Sequence, residues 1–189
     1  SFPTRRSSDL KLACREAVSW AVPARISVNV SPVQLGSKSF INTVQSVLAE
    51  TGLPANRLEL EVTESSLFSD RNNPITILKK LRALGVRISI DDFGTGYSSL
   101  SRLSELNFDK IKIDKSFVNP ISTQEDALNI VKLITGMAQS LNMGVIAEGV
   151  ETEEQLERLQ ALGCELVQGY LFSKPQPQDR KSTRLNSSH

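Results

Sequence analysis

The chain has 189 residues, of which 39% are hydrophobic, 23% charged and 5% aromatic, with a formal net charge of +1. This composition is typical of a packed soluble domain and excludes a disordered chain. There is no run of 18 apolar residues, which excludes a transmembrane helix, and the start lacks the pattern of a signal peptide. Cys14 and Cys164 lie 150 residues apart, which excludes a disulfide framework or zinc motif and favours the cytoplasm.

The two ends of the chain differ from its body. Residues 1–10 carry a charge of +1 and residues 180–189 carry +3, which leaves −3 for residues 11–179. Because both ends are rich in Ser and Arg and have no periodicity, we interpret them as non-native tails around one partial domain, residues 11–179. The single histidine, His189, lies in the second tail, so we expect neither histidine catalysis nor histidine metal ligation.

Short apolar, β-branched segments alternate with longer segments of helical period along the body. Six of them are predicted strands: Ile26–Val30, Leu58–Val62, Val86–Ile90, Phe108–Ile113, Gly144–Ala147 and Glu165–Val167.

Three helices between these strands have recognisable ends. The first has an apolar face over residues 75–84 and is expected to end at Gly85. Ser122 with Glu125 predicts a capping box at the start of the second helix. Thr152 with Gln155 predicts another capping box, and residue 163, a glycine, ends that third helix.

Six successive strand–helix units predict a parallel sheet, because parallel strands need crossovers of this length. Polar residues lie at or just past the end of every predicted strand, whereas an open sheet collects its ligand residues at one switch point. These residues are Asn29, Glu61, Asp91, Asp92, Lys112, Asp114, Glu148 and Gln168. The pattern favours a (βα)8 barrel, but such a barrel has eight strands and about 250 residues. We therefore expect an α/β fold with an unusual or incomplete barrel.

In such a barrel Glu61, Asp91, Asp92 and Glu148 converge with Asn29 at one mouth. Two carboxylates 4 Å apart repel by about 4 kcal/mol at an effective dielectric constant of 20, so the cluster requires either protonation or bound cations. Oxygen ligands without Cys or His favour Mg²⁺ or Mn²⁺, and an Asp-Asp pair suits two metals that hydrolyse a phosphodiester.

Each residue also has an ordinary structural interpretation. Asp91-Asp92 precedes a glycine-rich turn, Lys112 fits a solvated strand edge, and Glu148 favours the start of the following helix. The DFG triplet at 92–94 is known from kinases, but no kinase glycine loop or HRD segment accompanies it, which excludes that class.

Six motifs follow one another along the body: NVSPVQL (29–35), ELEVTES (59–65), SIDDFGTGYSSL (89–100), FDKIKID (108–114), IAEGVET (146–152) and QGYLFSKP (168–175). In content, order and spacing they resemble the EAL-domain family of bacterial cyclic-di-GMP phosphodiesterases. The resemblance implies a modified TIM-like (βα)8 barrel, of which about six of the eight strand–helix units are present. It also implies two divalent cations, Mg²⁺ or Mn²⁺, and hydrolysis of cyclic di-GMP to linear pGpG through attack by a metal-activated hydroxide.

The resemblance assigns roles to residues by position. Lys112 and Glu148 are implied to be catalytic, the lysine holding the attacking water or the phosphate and the glutamate acting as general base. Glu64 is implied to steady the DFGTG loop, residues 93–99, which couples metal binding to dimerisation in this family. The implied metal ligands are Asn29, Glu61, Asp91, Asp92 and Glu148. The residues implied to contact substrate or support the ligands are Gln168, Asp114 and Glu151.

One departure from the family concerns its name. The Glu-Ala-Leu signature and the arginine that follows it do not occur in the sequence, and the body resembles the family only from about residue 11. We therefore expect that the chain lacks two strands and one metal ligand, and that it is inactive by itself. The resemblance further implies a homodimer, a possible attached sensory or diguanylate-cyclase domain, a membrane anchor only outside this segment, and no nucleic-acid polymer as partner.

Two other functions stay open from the sequence. One is a non-catalytic cyclic-di-GMP receptor or protein-interaction module. The other is a Schiff-base aldolase that uses Lys112 at a strand end. Hydrolysis that depends on Mg²⁺ or Mn²⁺ distinguishes the phosphodiesterase from both.

Overall fold

The structure is a computed structural model that describes residues 4–67, 73–95, 100–164 and 166–168. The chain divides into two compact units, one of residues 1–91 and 96–109 and one of residues 92–95 and 110–189. The boundary falls inside a strand, between Asp91 and Asp92.

The first unit contains three parallel strands and the helices that connect them. Its strands are β1 (Ile26–Val30), β2 (Leu58–Thr63) and β3 (Arg87–Phe93, of which the last two residues belong to the second unit). Its helices are α1 (Thr4–Val18), α2 (Pro32–Leu35), α3 (Ser39–Thr51), α4 (Glu64–Leu67), α5 (Pro74–Ala83) and α6 (Leu100–Glu105), with a 3-10 turn at Ala55–Arg57.

The second unit also contains parallel strands. Its strands are β4 (Lys110–Ile113), β5 (Gly144–Glu148) and β6 (Leu166–Gln168), and its helices are α7 (Lys115–Val118), α8 (Glu125–Ser140) and α9 (Glu153–Ala161). Strand β5 pairs in parallel with β4 and with β6. No helix in the described ranges has the length and apolarity that crossing a bilayer requires.

The two faces of the first unit's strands differ in chemistry. Leu60, Val62, Ile88 and Ile90 lie on one face and are fully buried, which supplies the core of this unit. Residues in register on parallel strands share a face, and successive residues of one strand alternate between the two faces. The residues between these apolar ones therefore lie on the opposite face, and they are polar. Strand β2 is therefore apolar on one side and acidic on the other.

The six predicted strands are all present, and β1 has the predicted bounds. The largest differences are at β3, which ends at Phe93 instead of Ile90, and at β4, which begins at Lys110 instead of Phe108. Asp109 forms hydrogen bonds outside β4: its backbone N–H donates to the carbonyl of Ile88, and its carboxylate accepts bonds from Arg82 and Arg87. These bonds hold residue 109 against β3, so β4 begins only at the next residue.

One of the two predicted capping boxes is confirmed. Thr152 and Gln155 exchange both bonds of the box at the start of α9. The box predicted for Ser122 and Glu125 is wrong, because α8 begins after Gln124 without a side-chain cap. The amides of residues 123 and 124 both donate to the carbonyl of residue 120, and this turn keeps Ser122 from the cap position.

The two cysteines are buried free thiols, as expected. Burial raises the pKa of Cys14 and raises that of Cys164 to about 11, because a thiolate is poorly solvated inside a protein. Residue 10, which the sequence assigned to the first tail, is a leucine with 2% exposure and lies within α1. The proposed domain bounds stay a prediction.

Candidate metal centre

Three carboxylates meet at the ends of two strands. Asp91 and Asp92 lie near the end of β3, Glu148 is the last residue of β5, and one oxygen of each lies within 4.8 Å of the others. Asp91 and Glu148 are half-buried and Asp92 is exposed. At this spacing each pair of charges repels by several kcal/mol at an effective dielectric constant of 20, so the arrangement favours a bound cation.

The backbone explains how two consecutive aspartates reach the same cluster. In a regular strand neighbouring side chains point to opposite faces. Asp92 instead has a φ of +53°, and Gly94 two residues later has a φ of +100°. The left-handed conformation turns the Asp92 carboxylate toward the side of Asp91, at a strain cost of about 1–2 kcal/mol. The hydroxyl of Thr95 donates to the Asp92 carbonyl at 2.9 Å and fixes this turn.

A buried lysine lies beside the cluster. Lys112 on β4 is 7% exposed, and its Nζ lies 2.6 Å from Oε1 of Glu148. The register explains this contact, because Lys112 is paired with Ile146 and Glu148 follows two residues later on the same face. The three carboxylates and this ammonium together carry a formal charge of −2.

Asn29 and Glu61 form a row on the polar face of the first unit. Asn29 on β1 is in register with Glu61 on β2, and Glu61 is in register with Ser89 on β3. Asp91 follows Ser89 by two residues and therefore lies on the same face, one step further along the sheet. Asn29 is exposed and Glu61 is half-buried. The unit thus aligns an amide and two carboxylates, all oxygen donors suited to a hard cation.

The chemistry of these donors fits Mg²⁺ or Mn²⁺. All of them are carboxylate or amide oxygens, whereas the two buried cysteines and the terminal histidine are not among them. Oxygen-only sites favour these ions over zinc. The fit supports the predicted ligand set, and the role of each residue in it stays a prediction.

Asp114 has a structural task of its own. It is the N-cap of α7, and its carboxylate accepts a bond of 2.9 Å from the amide of Ser116. Partial burial works to raise the pKa of Asp114, but the hydrogen bonds from Ser116 and the charge of Lys115 outweigh it and lower the pKa. Capping therefore accounts for this residue without a ligand.

The remaining predicted residues lie on β6, just before α9 and on α4. Gln168 is the last residue of β6, is in register with Glu148 and is exposed. Glu151 is also exposed, and its backbone N–H donates to Gln155 at 2.8 Å. Glu64 is the first residue of α4 and is 1% exposed. Residues 96–99 of the loop that Glu64 was expected to steady lie outside the described residues.

Sequence reasoning missed two polar residues on the same face. Glu59 on β2 is 2% exposed, and Ser89 on β3 is fully buried. A polar residue in the middle of a strand gives no sign of its burial unless the face is known. Glu59 and Ser89 lie two residues before Glu61 and Asp91, and residues two apart on a strand share a face. This spacing is the sequence signal that could have found them.

The chain matches known proteins over most of its length. A family model described as EAL domain matches residues 10–175. The cyclic di-GMP phosphodiesterase NbdA of Pseudomonas aeruginosa is 46% identical over 172 residues, which are 89% of this chain and 22% of NbdA. The chain thus spans about a fifth of the length of this relative.

Two solved structures are similar in fold. A complex of the PaMucR phosphodiesterase with c-di-GMP has a TM-score of 0.86 and 41% identity, and the match covers 91% of this chain and 76% of that one. A manganese and cyclic di-GMP complex of BlrP1 from Klebsiella pneumoniae has a TM-score of 0.82 and 32% identity, covering 90% of this chain and 44% of that one. These matches confirm the predicted fold class, an incomplete TIM-like barrel.

Proposed function

The chain belongs to the EAL domain family, and we propose that its domain hydrolyses one phosphodiester bond of cyclic di-GMP to give linear pGpG. The carrying observation is the group of Asp91, Asp92 and Glu148 with the buried lysine, Lys112, at the Glu148 carboxylate. A receptor that only binds the nucleotide does not need three carboxylates so close together that their charges repel one another.

We propose two divalent cations, Mg²⁺ or Mn²⁺, as cofactors. The residues that would hold them are Asn29, Glu61, Asp91, Asp92 and Glu148. When bound, such cations lower the pKa of a water and neutralise charge that develops on the phosphate. A similar fold binds manganese together with cyclic di-GMP in BlrP1, which supports this assignment.

Two residues of the chain are proposed to act on the reacting atoms. Glu148 accepts the proton of the attacking water, and the Lys112 ammonium, 2.6 Å from Oε1 of Glu148, holds that carboxylate in position. As the water oxygen bonds to phosphorus in line, the bond to the ribose oxygen breaks and that oxygen takes up a proton. Lys112 can also donate to a phosphate oxygen, because an ammonium has three N–H donors. Gln168 is exposed beside Glu148 and is proposed to contact substrate.

We further propose that the 189 residues alone hydrolyse poorly, because the Glu-Ala-Leu segment of the family does not occur in them. The test therefore uses two proteins: the chain itself and an extended chain, in which the corresponding N-terminal segment of NbdA precedes residue 11. Cytoplasmic location and a homodimer belong to the same proposal, the first supported by two buried free thiols.

The deciding measurement is chromatographic detection of pGpG from cyclic di-GMP with Mn²⁺, with Mg²⁺ and with chelator. We expect the extended chain to turn over only with a cation. Asp91→Asn in it is expected to lower turnover by at least about 100-fold, since supports of metal ligands alone contribute 10–100-fold. The matched control is Glu154→Gln, which removes an exposed acid that pairs only with Arg158 among the described residues.

Three results would contradict the proposal. Turnover that survives the chelator excludes the cations, and binding of cyclic di-GMP with Mn²⁺ but no product indicates a receptor. Borohydride trapping of a carbonyl compound on Lys112 would indicate an aldolase.

A further inference from the structure

Ser89 is a buried serine whose hydroxyl has no hydrogen-bond partner in the described part of the chain. It lies in the middle of β3 between two isoleucines, and its exposure is 0%. Among the residues that the structure describes, nothing forms a hydrogen bond with its Oγ. Such atoms are uncommon in native proteins, and each needs a physical reason.

The surroundings of Ser89 distinguish it from an ordinary core serine. It is in register with Glu61 of β2, about 4.8 Å away across neighbouring strands, and Asp91 follows it on the same face. These residues all belong to the first unit. Ser89 therefore lies level with Glu61, one of the proposed cation ligands, and two residues before Asp91 on the same face.

Ser66 provides a contrast at similar burial. It is 2% exposed and lies on α4, and its hydroxyl donates to the Thr63 carbonyl at 2.7 Å. An alanine at position 66 would lose that bond, whereas an alanine at position 89 would lose no bond that the described residues form. Burying an unpaired hydroxyl is unfavourable, so an alanine at position 89 would make the folded protein more stable than the serine does.

We propose that Ser89 is a positioning residue of the cation site. Its hydroxyl donates a hydrogen bond, carried by one buried water, to the carboxylate of Glu61 and holds that carboxylate toward the cation. Residues that orient ligands in this way raise metal affinity without touching the metal. This inference rests on the proposed function, since it takes Glu61 as a cation ligand.

The test is titration of the full 189-residue chain with Mn²⁺, followed by the electron paramagnetic resonance of the free ion, together with thermal unfolding without metal. Ser89→Ala is expected to weaken Mn²⁺ binding about 10-fold and to leave the melting temperature of the metal-free protein unchanged or higher. Ser66→Ala, the matched control, is expected to do the opposite: a lower melting temperature with unchanged Mn²⁺ affinity. Ser89→Cys keeps the size with a weaker donor and is expected to lie between Ser89→Ala and the wild type.

The outcomes separate this inference from the proposed function. If the wild type binds Mn²⁺, Asp91→Asn does not, and Ser89→Ala binds as the wild type does, only the role of Ser89 is overturned. A metal-free Ser89→Ala that melts as low as Ser66→Ala also overturns it, because the hydroxyl then has a structural partner. If neither the 189-residue chain nor the extended chain binds Mn²⁺, or if Asp91→Asn binds it equally, the cation site is overturned and the role of Ser89 with it.

Discussion

Asp92 combines a strained backbone with a charged side chain at the centre of the site. A φ of +53° is unfavourable for any residue with a Cβ, and asparagine, aspartate and glycine tolerate it best. The same conformation brings its carboxylate within 4.8 Å of those of Asp91 and Glu148. The backbone strain and the charge repulsion both oppose folding. A bound cation would offset the repulsion and gives a functional reason for this arrangement.

Substitutions at residue 92 separate the backbone effect from the charge effect. We expect Asp92→Ala to be about 1 kcal/mol less stable than Asp92→Gly, because glycine has no Cβ to strain at positive φ. Asp92→Asn is expected to keep wild-type stability within about 0.5 kcal/mol. All three should lose about 100-fold or more in hydrolysis by the extended chain.

Urea unfolding and the pGpG assay measure the two effects separately. Equal stability of the alanine and glycine variants would show that the positive φ carries no strain. Wild-type turnover in Asp92→Asn would remove the residue from the proposed ligand set.

The predictable part of the site followed from one rule. Parallel strands end at the same edge of a sheet, so the polar residues at strand ends indicate Asp91, Glu148 and Lys112 from the sequence alone. The rule does not give backbone conformation, so it could not show how residues 91 and 92 share a side. It also says nothing of residues before the strand end, and for this reason it missed Ser89.

At the scale of elements, the turn after β3 packs directly on α7. A Cβ built on Gly94 would lie 2.8 Å from Cε2 of Phe117 and 3.4 Å from Cδ1 of Ile134, and the φ of Gly94 is +100°. Both space and backbone conformation therefore require glycine. Because Asp92 is two residues away, this contact fixes the end of the strand that carries the carboxylates.

Gly94→Ala is expected to lower the free energy of unfolding by about 2 kcal/mol, from overpacking against Phe117 and from strain. The matched control is Gly136→Ala in α8, where a Cβ meets nothing within 4 Å. In a helix this change should raise stability by about 0.5–1 kcal/mol. Denaturant unfolding of both variants gives the comparison.

A second substitution tests the steric origin of the Gly94 effect. Phe117→Leu in the Gly94→Ala background should be less harmful than Phe117→Leu alone, because the smaller side chain makes room for the new methyl group. Additive effects would instead assign the loss to the backbone only.

Element boundaries show where sequence rules stop. The Thr152 capping box was predictable because both partners lie within one turn of the helix. Ser122 has the same local pattern, but the turn at Pro120 excludes it from the cap. Asp109 makes β4 begin late through contacts with Arg82 and Arg87, which lie more than 20 residues away in sequence. Local patterns carry no information about such contacts.

At the scale of the whole molecule, the polar face of the first unit becomes more exposed toward β1. Glu59 and Ser89 on this face are buried, whereas Ser27 and Asn29 on β1 are exposed. In the described residues β1 pairs on one side only, with β2. An unpaired strand edge leaves amides open to solvent and invites pairing with another strand. The proposed ligand Asn29 therefore lies on a strand that has one described neighbour and is exposed there.

We predict that the extended chain, which supplies the two strand–helix units needed for eight, protects β1. A new parallel strand would pair the free edge, so the open amides within Ile26–Val30 should exchange hydrogen at least about 10-fold more slowly, as amides in stable elements do. Amides of β5 serve as the internal control, because β5 already pairs on both sides.

Protection of β1 and hydrolysis should appear together in the extended chain, because the added segment both encloses Asn29 and brings the Glu-Ala-Leu glutamate to the site. Slow exchange at β1 without Mn²⁺-dependent pGpG formation would mean that the barrel closes but the ligand set is not catalytic. Unchanged exchange at β1 would mean that the added units do not pair with β1, which contradicts the proposed way in which the barrel is completed.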